Sequence, residues 1–196
     1  MIDVPLAEVL VATAVVVGGW YLWASAVRID RLHHRLESAR ASLAVHLTRR
    51  AALALESAGR CDPATALILA DAAAAALGAE LEDAAWLGGE RLAELEQAHS
   101  DLTAALVLAL GDPDDAREVF GPPGQEHEDD LAAALHAACL KVQLARRFHN
   151  SAVDTARRMR SKWVVRWARL AGRAPWPRMV EMDDAVPEGL QQYLPS

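Results

Sequence analysis

The side chains best suited to chemistry are seven histidines, two cysteines and 27 carboxylates. A metal centre in a helical protein needs several of them on facing helices at fixed spacing. Glu96-x-x-His99 is one copy of the pair that di-iron helical proteins use. Such a centre also needs a second copy and two further glutamates, and no other histidine has a Glu three residues before it. His33 and His34 are adjacent, so they point to different faces of a helix. His127-Glu128 opens an H-E pair, but position 131 is Leu and the H-E-x-x-H spacing fails. Cys61 and Cys139 form no C-x-x-C pair and read as small apolar side chains. G-x-x-x-x-G-K-[ST], G-x-G-x-x-G and G-x-S-x-G are all absent. These residues lead us to expect no enzyme, no cofactor and no metal. The alternative is a metal-dependent enzyme with its site in a helical core.

The elements that would position any such residue are helices. The 196 residues suit one domain, and 53% hydrophobic content with 24% charged excludes wholesale disorder. Ala and Leu carry the apolar fraction, aromatics are 5%, and no alternating stretch is long enough for a sheet. Val9 to Val27 holds 19 residues without a charge and ends in Trp20, Tyr21 and Trp23. At 1.5 Å per residue it reaches about 28 Å, close to the hydrocarbon thickness of a bilayer. A buried core helix is one alternative. A cleaved signal peptide is another, since Ala24-Ser25-Ala26 looks like a cleavage site; but Asp3 and Glu8 precede the stretch and its arginines follow it. Arg28, Arg31, Arg35 and Arg40 predict an outside N-terminus and a cytoplasmic remainder at the inner membrane.

Beyond the span, Ile29, Leu32, Leu36, Ala39, Leu43 and Leu47 keep a helical period, and nothing breaks it before Gly59. Asp62-Pro63 predicts an N-cap and first turn. Leu67, Ala70, Ala74, Leu77 and Leu81 form the expected stripe of the next helix. A further pattern runs from Leu92 and Leu95 through Leu102, Leu106 and Leu110, with Ser100-Asp101 as a cap inside it. Residues 111–126 read as a turn-rich loop. A long helix is expected from Glu126 to Arg160, with Leu131, Leu135, Ala138, Val142, Ala145 and Ala152 on one face. Leu140, Leu144 and Phe148 lie beside that face, and Asn150 is expected to bond within the protein. The fold class is therefore all-α: an N-terminal transmembrane helix continuing into an antiparallel helical bundle. Its divisions are an N-terminal segment 1–27, a bundle 28–178 and an acidic mobile tail 179–196.

Charge is segregated. Residues 28–60 carry +4, 61–135 carry −15 and 136–180 carry +10, for an overall −7. The negative total opposes nucleic-acid binding, although the +10 segment keeps a peripheral binder as a third reading. Between 161 and 171 a further helical piece is expected. There Trp163, Trp167 and Leu170 fall at i, i+4 and i+7, with Arg166 and Arg169 around them. This pattern suits an anionic surface or an acidic partner, or it covers the end of the core. We take Trp163, Arg166, Trp167, Arg169 and Leu170 as an interaction surface, for protein rather than lipid. Three long helices would carry it away from the membrane; a separate helix at about 90–110 would bring it back. The expected partners are the membrane, through residues 9–27, and unidentified proteins, with a homo-oligomer as one form.

Several of these residues also stand in a familiar order. Arg28, Asp30, Leu32, Leu36, Ala39 and Leu43 precede Leu47-Thr48-Arg49-Arg50. His99-Ser100-Asp101-Leu102 and the stretch Ala145 to Val153 follow, with Phe148 and His149 near an aromatic-Asn pair and Asn150 as its Asn. Over residues 8–160 the chain resembles the LemA family. The resemblance implies a single-pass protein, N-terminus out and C-terminus in, with an antiparallel helical bundle and no known enzymatic activity.

Overall fold

A computed structural model describes residues 6–79, 89–123, 131–162 and 176–194. Among these residues the secondary structure is helical and contains no strand. The helices are α1 (Leu6–Ala58), α2 (Pro63–Gly78), α3 (Gly89–Leu110), α4 (Pro113–Phe120) and α5 (Leu131–Arg160), followed by a 3-10 helix at Glu188–Tyr193.

The first helix is 53 residues long, about 80 Å, because no proline interrupts it after Leu6. Among the described residues its first turns stand uncovered: Val9, Leu10, Val11, Val15, Val16 and Val17 are exposed, as are Trp20 and Trp23, and burial begins only at Ser25 and Ile29. That separates it from a core helix, and it is long and apolar enough to cross a membrane. Thr13 donates its hydroxyl to the Val9 carbonyl, so the one polar side chain among Val9–Val17 is satisfied within the helix.

From Ile29 onward α1 packs in three successive clusters. Ile29 meets Met159; Leu43 and Leu47 join Leu92, Leu95, Val142 and Ala145; Ala51, Ala54 and Ala58 join Leu69, Leu102, Leu106 and Leu135. Residue numbers therefore fall along α5 and rise along α3 as they rise along α1. Alanine lines much of the third cluster, which lets the helix backbones approach closely.

Local signals set the ends. Asp62 Oδ1 accepts from the backbone N–H of Ala64 (3.0 Å) and Thr65 (3.3 Å), and Pro63 occupies the first turn, as expected. The buried stripe of α2 differs from the expected one: Leu69, Ala73 and Ala76 face inward, while Leu67 and Ile68 are exposed. A helix apolar all round has no sequence-defined inner face. Ser100 does not cap a new helix; its hydroxyl donates to the Glu96 carbonyl at 2.7 Å inside a continuous α3. The expected loop at 111–126 contains α4, started by Asp112-Pro113 in the same way as α2 and closed by Gly121 at φ 81°. Along α5 the expected face is buried from Leu131 to Ala145, but Leu140, Leu144 and Phe148 are exposed. The onset of this helix before Leu131 lies outside the described residues.

The acidic mobile tail is the largest correction. Residues 176–187 run extended against α3 and α5, and Val180, Met182 and Leu190 are buried. Tyr193 stacks edge-on against Phe120 with centroids 5.9 Å apart. A β-carbon on Gly189 would lie 2.5 Å from the carbonyls of Leu110 and Asp112, so only glycine lets the final 3-10 helix sit on the α3–α4 corner. Gly189→Ala should cost about 1–3 kcal/mol in urea denaturation of the full chain in mild detergent. Gly78→Ala, where a β-carbon meets open space, should be neutral or slightly stabilising in the same assay.

Candidate functional site

The site begins from a cation in the core. Leu43, Leu47, Arg50 and Ala54 share the inward face of α1, and Arg50 is 1% exposed. Burial works against its charge, but a guanidinium does not give up its proton in a protein. Among the described residues no carboxylate pairs with it directly. Nη1 donates to Thr103 Oγ1 at 3.1 Å, and Nη2 donates to the His99 carbonyl at 3.1 Å. Nη2 also lies 3.3 Å from His99 Nδ1, while Nε has no hydrogen-bond partner among the described residues. Arginine only donates, so His99 Nδ1 accepts and the ring carries its proton on Nε2. Burial, reinforced by Arg50, pulls the His99 pKa down to about 3, so the ring stays neutral at physiological pH. Glu96 and His99 therefore serve different partners: the Glu96 carboxylate accepts from the Glu181 N–H at 2.7 Å, outside the core.

Cys139 of α5 shares this interior. Burial pushes its thiol up to about 11 even with Arg50 nearby, so it holds no thiolate at neutral pH. Arg50, His99, Thr103 and Cys139 are all shut off from solvent. The hydrogen bonds of the cluster join α1 to α3. Among the described residues no three His, Cys, Asp or Glu side chains converge as a metal site would require.

The third wall is the C-terminal strap, residues 176–187. Thr103 Oγ1 is 2.8 Å from the Asp183 carbonyl, and Ser100 Oγ accepts from the Asp183 N–H at 3.0 Å. On the α5 side, Gln143 donates to the Asp184 carbonyl (2.8 Å) and Arg146 makes a two-pronged ion pair with the Asp184 carboxylate (2.7 and 3.0 Å). Asn150 bonds both the N–H (2.9 Å) and the carbonyl (3.0 Å) of Val180. Arg157 Nε donates to Pro177 O at 2.8 Å, and His149 Nε2 donates to Arg178 O at 3.3 Å. The carboxylates of Asp183 and Asp184 support the charge of Arg50 from this side.

Asn150 thus bonds within the protein as expected, to a partner that helical spacing does not reveal. Trp163, Arg166, Trp167, Arg169 and Leu170 lie outside the described residues. Arg50 and Thr103 were not among the sequence candidates. The signal for them was positional: Arg50 sits three residues after Leu47 and four before Ala54, and His99 falls between Leu95 and Leu102. Comparison with protein-family models, with curated proteins and with solved structures finds no match.

Two predictions follow the geometry. Arg50→Ala should cost about 3 kcal/mol or more, from a cavity plus unpaired His99 and Thr103 groups, in urea denaturation of the full chain in mild detergent. The pH response has a defined sign. His99 in the folded chain takes a proton only near pH 3, whereas the unfolded ring takes one near 6.5. The unfolded state therefore gains protons across that window, and His99 costs stability at about 1.4 kcal/mol per pH unit as pH falls below 6.5. His99→Asn keeps an acceptor that cannot be protonated. It should remove about 2 kcal/mol of the loss between pH 6.5 and 5 in the same denaturation series.

Proposed function

We propose that this chain is a single-pass, membrane-anchored interaction or scaffold protein of the cell envelope. Residues 9–27 cross the inner membrane, the N-terminus lies outside, and the rest forms an antiparallel helical bundle in the cytoplasm. The observation that carries this reading is the continuity of α1: one helix runs from an uncovered apolar stretch into all three packed clusters without a break. A rigid helix through that junction fixes the packed part against the bilayer, which a flexible tether would not do. Arg28, Arg31, Arg35 and Arg40 after the stretch support a cytoplasmic remainder. The falling order of α5 partners along α1 supports the antiparallel arrangement.

An interaction role is supported by the outer face of α5. Leu140, Leu144 and Phe148 recur every four residues and stay 43%, 53% and 60% exposed. Large apolar side chains in a row on a helix suit contact with another protein. We further propose membership of the LemA family. Supporting it, Arg50 and Asn150 from the resembling stretches, with His99 and Ser100, are the residues that hold α1, α3, α5 and the strap together.

The protein should stay in the membrane fraction through a carbonate wash, and a reporter fused after Ser196 should behave as cytoplasmic. Activity of a periplasmic phosphatase at that point would refute the orientation. A mature chain beginning at Val27 would refute the anchor. Affinity purification in mild detergent should return protein partners, and Leu144→Glu with Phe148→Glu should reduce their recovery while leaving the helical spectrum unchanged.

A further inference from the structure

Where α1 leaves its uncharged stretch, a groove of about 440 Å³ opens between α1 and the end of α5. Arg28, Arg31 and Arg35 line it from α1, and Arg158 and Lys162 line it from α5 and the turn after it. Arg158 is held by Asp154 at 2.7 Å. Asp30 and Glu37, the other carboxylates nearby in sequence, lie 3.8 and 3.6 Å from the ring of His34. Among the described residues, the side chains of Arg28, Arg31, Arg35 and Lys162 meet no carboxylate. Four like charges around one groove repel each other, and an anion seated between them relieves that repulsion.

The rest of the groove narrows the class of anion. Leu32 and Met159 give it an apolar wall, continuous with Ile29 and the uncharged stretch. Arg28 to Arg35 lie within about 12 Å of Val27 along the helix axis, at and just beyond the headgroup layer if residues 9–27 span the bilayer. An anionic head with an apolar remainder, presented at that height, is a phospholipid. We propose that this groove seats the headgroup phosphate of an anionic phospholipid, with its acyl chains alongside the first half of α1. The proposal rests on the membrane-anchored reading above.

The test uses the full chain in a mild non-ionic detergent and native mass spectrometry, with phosphatidylglycerol and phosphatidylcholine as probes. Phosphatidylglycerol should be retained and phosphatidylcholine lost. Arg31→Gln combined with Arg35→Gln should weaken phosphatidylglycerol binding by about thirtyfold, at roughly a factor of five for each charge. Both positions are exposed on α1, so the helical spectrum should not change. The control pair, Arg49→Gln with Arg60→Gln, is also exposed but lies away from the groove and should bind as the unaltered chain does. Equal retention of the two lipids, or no effect of the groove pair, would overturn the proposal. Displacement of phosphatidylglycerol by millimolar inorganic phosphate would overturn it too, by making the groove a site for the bare ion. Carbonate extraction of the membranes from which the chain is purified, before detergent is added, separates the two readings. If the chain leaves the membrane, the anchor fails; if it stays but shows no lipid preference, only the groove assignment fails.

Discussion

A buried guanidinium without a paired carboxylate is the constraint on which the rest of the structure depends. Taking such a charge out of water costs several kcal/mol, and only well-placed acceptors offset it. Here the acceptors are a threonine hydroxyl, a backbone carbonyl and a neutral imidazole, all on α3. That fixes which turn of α3 lies beside Arg50 of α1. Two carboxylates on the strap support the same charge from the third side. Removing any of the three elements would leave the cation less compensated, so the cluster selects one assembly of α1, α3 and strap over its alternatives. Ala51, Ala54 and Ala58 beside it have side chains too small to define a register by themselves, and Arg50 supplies one.

The strap follows from matching repeats. An extended chain advances about 6.6 Å in two residues, and an α-helix advances about 6 Å in four. Glu96 and Ser100, four apart on α3, meet Glu181 and Asp183, two apart on the strap. Arg157 and Asn150, seven apart on α5, meet Pro177 and Val180, three apart and running the opposite way. Both separations are about 10 Å. The helices thereby satisfy the backbone of an extended segment that has no neighbouring strand, which the cost of unpaired buried amides requires.

These two features mark the boundary of what could be read from the chain. The end of α1 and the start of α2 were readable because Gly59 and Asp62-Pro63 act on their own neighbours. The inner face of α5 was readable as far as Ala145; beyond it His149, Val153, Ala156 and Met159 are buried and the expected Ala152 is half-buried. The face of α2 was not, since Leu67 and Ile68 are as apolar as Leu69. α4 was hidden by the glycines and prolines around it, although Asp112-Pro113 repeats the signal that starts α2. The strap was unreadable for a different reason. Its contacts join residues some 80 apart, through side chains reaching backbone, and no periodicity records such a bond. Arg50 and His99 carried conflicting signals: their spacing placed them inside, their chemistry outside. Spacing won because each supplies what the other lacks.

The order of partners along α1 also bears on the segment whose tryptophans the sequence singled out. A separate α3 brings the chain back, and α5 then runs down α1 until Met159 meets Ile29, next to the uncharged stretch. Lys162 lines the groove at that foot, and Trp176, where the described chain resumes, lies 5.1 Å from the guanidinium of Arg160. Lys162 and Trp176 therefore both lie beside the last turn of α5. On neighbouring positions of that turn, Arg157 grips the strap and Arg158 lines the groove. A change in what occupies the groove and a change in how the strap is seated would thus act on the same turn of helix. Among the described residues, this turn at the foot of α1 joins the basic groove to the buried strap.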